Sequence, residues 1–97
     1  ASDNLWEQRI AIVSTLALIR ADRFDETLRI SRLLLSHPHD LIHKAIGWML
    51  RELGKHDSDL LRTFLADHYS DLPRTTLRYA IEHFTPSERL SWLRKKR

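Results

Sequence analysis

The chain has 97 residues, 42% hydrophobic and 30% charged, and its 16 Lys and Arg against 13 Asp and Glu leave a net charge of +3. That describes one small folded domain rather than a disordered segment, and the absence of cysteine excludes disulfides, cysteine-ligated zinc and thiol catalysis. No apolar run approaches the roughly 18 residues of a membrane span, and the opening "ASDNLWEQ" lacks the regions of a signal peptide, so a soluble, cytoplasmic chain with no membrane partner is expected.

Helical periodicity recurs along the whole sequence, and β-branched alternation is nearly absent. "DNLWEQRIAIVSTLALIR" starts at a good cap, Ser2 or Asp3, and carries Leu5, Trp6, Ile10, Ile12, Val13, Leu16 and Ile19 on helical spacing. "DETLRISRLLLSH" follows after a short break and is stopped by His37-Pro38. Asp40 is expected to cap a third helix that ends near Gly54. In it Leu41, Ile42, Ala45, Ile46, Met49 and Leu53 form an apolar arc opposite Lys44, Arg51 and Lys55, with Trp48 on the border and Gly47 leaving a notch beside it. "DSDLLRTFLADHY" turns Leu60, Leu61, Phe64 and Leu65 inward, and Pro73 opens "PRTTLRYAIEHF" from a first helical turn. Thr85-Pro86-Ser87-Glu88 is a capping box ahead of Leu90, Trp92 and Leu93.

Short connections make successive helices antiparallel neighbours, and the first helices of each pair begin near Asn4, Asp40 and Arg74. The spacing of about 35 residues is that of two-helix solenoid repeats. The expected fold is therefore all-α, a right-handed stack of antiparallel helical hairpins of about six helices, close in period to HEAT repeats, with a six-helix bundle as the alternative. The whole chain, 1–97, is read as one domain.

Arg9 lies between Leu5, Ile12, Val13 and Leu16 on the helical wheel, where a guanidinium needs either a carboxylate partner or a cleft. Trp48 beside Lys44, Arg51 and Lys55 reads either as a nucleic-acid surface, with cations for phosphates and an indole for sugar or base, or as a boundary tryptophan beneath solvated cations. Glu52 is placed to hold Arg9 or a neighbouring lysine. Arg74 and Arg78 add a second cationic pair one turn apart, while the basic "RKKR" tail suits the end of a helix. The histidines of "HPHDLIH" lack the i, i+4 placement of a zinc helix, so neither a metal nor another cofactor is expected. No self-contained catalytic set is visible.

"LWEQRIAIVSTLALIR", then "IHKAIGWMLRELGK" about forty residues on, then "PRTTLRYAIEHF", together resemble the C-terminal part of the AlkD-like DNA alkylation repair family. The resemblance runs from Leu5 to about Phe84 and is most specific in "KAIGWxLRExGK" and its spacing from "WxxRxAI". It implies a HEAT-like DNA glycosylase that hydrolyses the N-glycosidic bond of purines alkylated at N3 or N7, acting on double-stranded DNA. It also implies that Arg9 and Trp48 are walls of the catalytic cleft, and that Lys44, Arg51, Lys55, Arg74 and Arg78 hold the DNA backbone. The family's essential aspartate would precede Ala1, and the only methionine is Met49. The chain is therefore expected to be the C-terminal fragment of a longer protein, inactive alone, with an exposed N-terminal face that could support a homo-oligomer. The alternative is a non-catalytic helical-repeat module that binds DNA or a protein partner.

Overall fold

The computed structural model describes residues 5–94, which leaves the expected Ser2 or Asp3 cap, the helix start near Asn4 and the last residues of the basic tail outside the described residues. Among the described residues every regular element is helical. The long first helix of the sequence reading is divided in two, α1 (Leu5–Val13) and α2 (Leu16–Arg20). The break is made by Ser14 and Thr15, whose hydroxyls donate to the carbonyls of Ala11 and Ile12 at 2.9 and 2.7 Å and compete with the helical ladder. Thr15 is buried, so this bend is fixed by packing.

The turn after α2 is a Schellman-type stop in which Arg23 donates to Leu18 and Asp22 to Ile19. Asp22 occupies the left-handed position, φ 58°, that glycine usually fills. Its carboxylate pairs with Nδ1 of His56 at 2.9 Å, which ties the turn to the end of α4 (Asp40–His56).

α3 (Asp25–Leu34) buries Thr27, Leu28, Ser31 and Leu34 along one stripe. The cap of α4 is His39, whose Nδ1 accepts from the Leu41 amide at 3.2 Å; Asp40, the expected cap, is the first helical residue. The helix also runs past Gly54, which ends nothing: a Cβ there would lie 2.4 Å from Cδ2 of Leu61, so the glycine admits α5 (Ser58–Asp67) to close contact. Asp57 caps α5 by accepting from Leu60 at 3.0 Å. After a 3-10 turn at Tyr69–Asp71, Pro73 takes the cap position of α6 (Arg74–Ala80), which stops short of the expected Phe84.

α7 (Pro86–Arg94) keeps half of the expected capping box. Thr85 Oγ1 accepts from the Glu88 amide at 3.2 Å, but the Glu88 carboxylate turns away to Arg62, 2.7 and 2.9 Å, and to the indole of Trp92, 3.2 Å.

α4 is the centre of the molecule. It packs most extensively on α6, then on α1 and α5, and its buried stripe of Ile42, Ala45, Ile46, Met49, Leu50 and Leu53 is the middle of the core. The first helices of the pairs, α1, α4 and α6, thus lie side by side, with α3 behind α1 and α4 and α5 behind α4. The 18 Å shortest extent is that of two helix layers at about 10 Å each. This all-α arrangement agrees with a helical repeat fold.

Several large apolar side chains expected inside are not, Leu90 at 49% exposure among them. Trp6, Ile10 and Leu41 are 67%, 58% and 45% exposed. Gly47 differs in the opposite sense: it is buried.

Candidate nucleic-acid interface

The front row of helices carries a cleft of about 280 Å³ lined by Arg9 from α1, by Leu41, Lys44, Ala45, Trp48 and Arg51 from α4, and by Tyr79 from α6. The α4 residues recur at three- and four-residue steps, which puts them on one face of the helix. A smaller apolar hollow, formed by Leu5, Trp6, Arg9 and Leu41, adjoins it. Arg9 is common to both.

Arg9 is half-buried on α1 and has no ion-pair partner among the described residues. Glu52, one candidate to hold it, instead binds Lys55 at 2.9 Å and lies 3.6 Å from Arg51. Burial works to raise the Glu52 carboxyl, but the hydrogen bond from Lys55 and the charges of Lys55, Arg51 and His83 hold it below its ordinary range. Glu82 is held low chiefly by the hydrogen bond it accepts from Arg51, 2.6 Å. Arg51 is therefore matched by carboxylates from α4 and from the turn after α6. Lys44 is matched more loosely, by Asp40 at 3.3 Å.

Trp48 is half-buried, packed against the core at one edge and open to the cleft at the other. The notch beside it has a structural purpose. A Cβ on Gly47 would lie 2.6 Å from the Tyr79 Cβ and 2.9 Å from the Thr76 carbonyl oxygen, so the backbone that comes close is that of α6. Thr76 secures the approach by donating from its hydroxyl to the His43 carbonyl, 2.8 Å. Gly47 thereby puts Tyr79 beside Trp48 in the same cleft.

Of the remaining expected contacts, Lys55 lies around the corner, in a depression of about 300 Å³ that Arg51 also borders. Arg74 donates to the Leu93 carbonyl at 2.9 Å, where it stabilises the end of α7, and neither it nor Arg78 lines the cleft. Arg78 is exposed on α6. The histidines of "HPHDLIH" hold their own loop: His37 Nδ1 accepts from the His39 amide, His39 caps α4, and His43 Nε2 bonds the His37 carbonyl. Among the described residues no group of side chains could hold a metal ion, and no helix is long and apolar enough to cross a membrane.

Leu41, Tyr79 and Trp6 were not anticipated as cleft residues. Leu41 stands at the border of the apolar arc, two turns before Trp48, a spacing that could have marked it. Tyr79 has no such local signal, since only the packing of α6 on Gly47 brings it there.

The cleft thus combines an aromatic and aliphatic floor with guanidinium and ammonium groups, and the residues lining it include no carboxylate among those described. Cations that neutralise phosphates beside rings that accept a sugar or base are the elements of a DNA-binding surface. The sequence profile of the DNA alkylation repair enzymes matches residues 1–84. The chain belongs to that family, the DNA alkylation repair enzymes. No curated protein and no solved structure shows significant similarity to it.

Proposed function

We propose that this chain forms the DNA-gripping groove of an alkylpurine DNA glycosylase, an enzyme that hydrolyses the N-glycosidic bond of purines alkylated at N3 or N7. The observation that carries the reading is Arg9, a half-buried guanidinium with no carboxylate partner among the described residues, opening into the same cleft as Trp48. A free guanidinium there suits a DNA phosphate, which it can bind through two parallel hydrogen bonds. Lys44 and Arg51 border the same groove and serve the flanking phosphates, with Lys55 further along.

An alkylated purine is already positively charged and leaves without a general acid. Catalysis then requires stabilisation of an oxocarbenium-like sugar and placement of a water. The indole of Trp48 supplies an electron-rich face for that positive charge. The carboxylate that would orient the water is not among the described residues lining the cleft, so in this reading it comes from outside them, and the chain alone grips DNA without cleaving it. The helical row and its period of about 35 residues support a HEAT-like stack. The carboxylate-free lining also favours a second reading, a module that binds DNA without catalysis.

Release of 7-methylguanine from alkylated duplex DNA, measured alongside DNA affinity over a range of salt, tests the proposal. Steeply salt-dependent binding that weakens in Arg9→Ala and Trp48→Ala supports the groove. Base release by a longer protein containing this chain separates the glycosylase from the binding module. Salt-independent binding, or none, overturns both readings.

A further inference from the structure

Tyr79 has no assigned role in the reading above, yet its position is tightly constrained. It lines the cleft from α6, facing the α4 row that holds Trp48, and its ring is 37% exposed as a residue. Its Cβ rests against Gly47, where no side chain fits between the helices. Neither Tyr79 nor Trp48 is in contact with another aromatic ring among the described residues, and the Tyr79 hydroxyl has no hydrogen-bond partner there. An unpaired, half-open tyrosine is thus fixed beside an unpaired, half-open tryptophan.

The electrostatics of the cleft give this arrangement a meaning. Arg9, Lys44 and Arg51 are all cations, Lys44 and Arg51 paired with carboxylates outside the cleft lining and Arg9 unpaired among the described residues, and the described lining includes no carboxylate. A nucleotide with positive charge on its base or sugar would be repelled by these groups unless they are occupied by phosphates. Among the described residues that line the cleft, the electron-rich surfaces are the rings of Trp48 and Tyr79.

We propose that Tyr79 is a specificity-determining residue that, with Trp48, selects a positively charged nucleotide over a neutral one of the same shape. The inference rests on the DNA-repair reading above and adds the residue that makes the groove selective. Its ligand class is a deoxynucleotide cationic at the base, as in an N-alkylated purine, or at the sugar, as in the oxocarbenium-like state.

The test uses two otherwise identical DNA duplexes at pH 7, one with a cationic pyrrolidine abasic analogue and one with the neutral tetrahydrofuran analogue. Wild-type protein is expected to prefer the cationic duplex by roughly three- to thirtyfold, the range of a cation–ring interaction in exposed to desolvated sites. Tyr79→Phe, which keeps the ring, retains the preference, and Tyr79→Leu loses most of it while its affinity for the neutral duplex changes little. If Tyr79→Leu folds poorly, Tyr79→Gln at this solvent-facing position serves the same purpose. A preference undiminished in these variants, or an equal loss on both duplexes, overturns the proposal. So does equal binding of both duplexes by wild type; if that binding is steeply salt-dependent, the groove reading survives. Absence of salt-dependent binding to either duplex removes both.

Discussion

Gly47 and Tyr79 meet with no room for a side chain between them, since a Cβ on the glycine would stand 2.6 Å from the Cβ of the tyrosine. The contact joins the fold to the site, because the most extensively packed helix pair among the described elements also forms one corner of the cleft. Gly47→Ala must push α6 outward against the Thr76 backbone. It should destabilise the fold by about 1–3 kcal/mol, the range for overpacking a tight interior. Urea unfolding of the variant measures this, and an unchanged midpoint would mean that α6 yields freely.

Arg9 and Trp48 should fail in different ways when removed. Arg9→Ala deletes a phosphate contact and should reduce the slope of log affinity against log salt by roughly 0.9. Trp48→Ala removes a stacking surface and should weaken DNA binding by about 1–3 kcal/mol with little change in that slope. Fluorescence anisotropy with a labelled duplex at several salt concentrations separates the two signatures.

Arg74 gives the contrasting case. Its guanidinium is engaged by the Leu93 carbonyl, so Arg74→Ala should leave the salt dependence of DNA binding unchanged and loosen the end of α7 instead. Faster amide exchange near Leu93 is the expected readout. A shallower salt slope in this variant would return Arg74 to the DNA-contacting set.

The fold should be acid-labile through Glu88. The hydrogen bond from Arg62 holds this carboxyl below its ordinary range against the opposing effect of burial, and the Trp92 indole adds to the lowering. A group whose folded pKa lies below its unfolded one stabilises the fold at higher pH and loses that contribution as pH falls through the folded value. Thermal stability should therefore hold from neutrality down to about pH 5 and decline below roughly pH 4.3, the ordinary glutamate value. Glu88→Gln should lower the midpoint at pH 7, and its deficit should shrink as the pH is lowered. A constant deficit at all pH values would contradict the assignment.

Tyr69 donates its buried hydroxyl to the Trp92 carbonyl at 2.6 Å and so docks α7 on the 3-10 turn. Tyr69→Phe removes this hydrogen bond and should cost about 0.5–1.5 kcal/mol. Chemical denaturation measures the loss.

Arg9 and Trp48 were legible because each broke a local pattern: a guanidinium inside an apolar arc, and an indole at a basic border. The helix starts at Asp40 and Arg74 were legible from periodicity and proline placement, and the structure has them there. The bend at Ser14 and Thr15 was not, because two hydroxyls can face solvent or bond backwards to carbonyls, and packing around Thr15 decides between them. Gly47 was read as an open notch beside Trp48. A wheel shows that space is left beside a residue but cannot show that another helix fills it. Leu41 and Tyr79 needed the same missing information, which was the position of α1 and α6 relative to α4.

Among the described residues, the side chains lining the cleft and its adjoining hollow come from α1, α4 and α6, and none comes from α3, α5 or α7. α4 and α6 therefore carry core and cleft together, whereas the rear helices serve the core without touching the cleft. Substitutions on the rear helices can change stability without altering the cleft lining, but a change on α4 or α6 alters both at once.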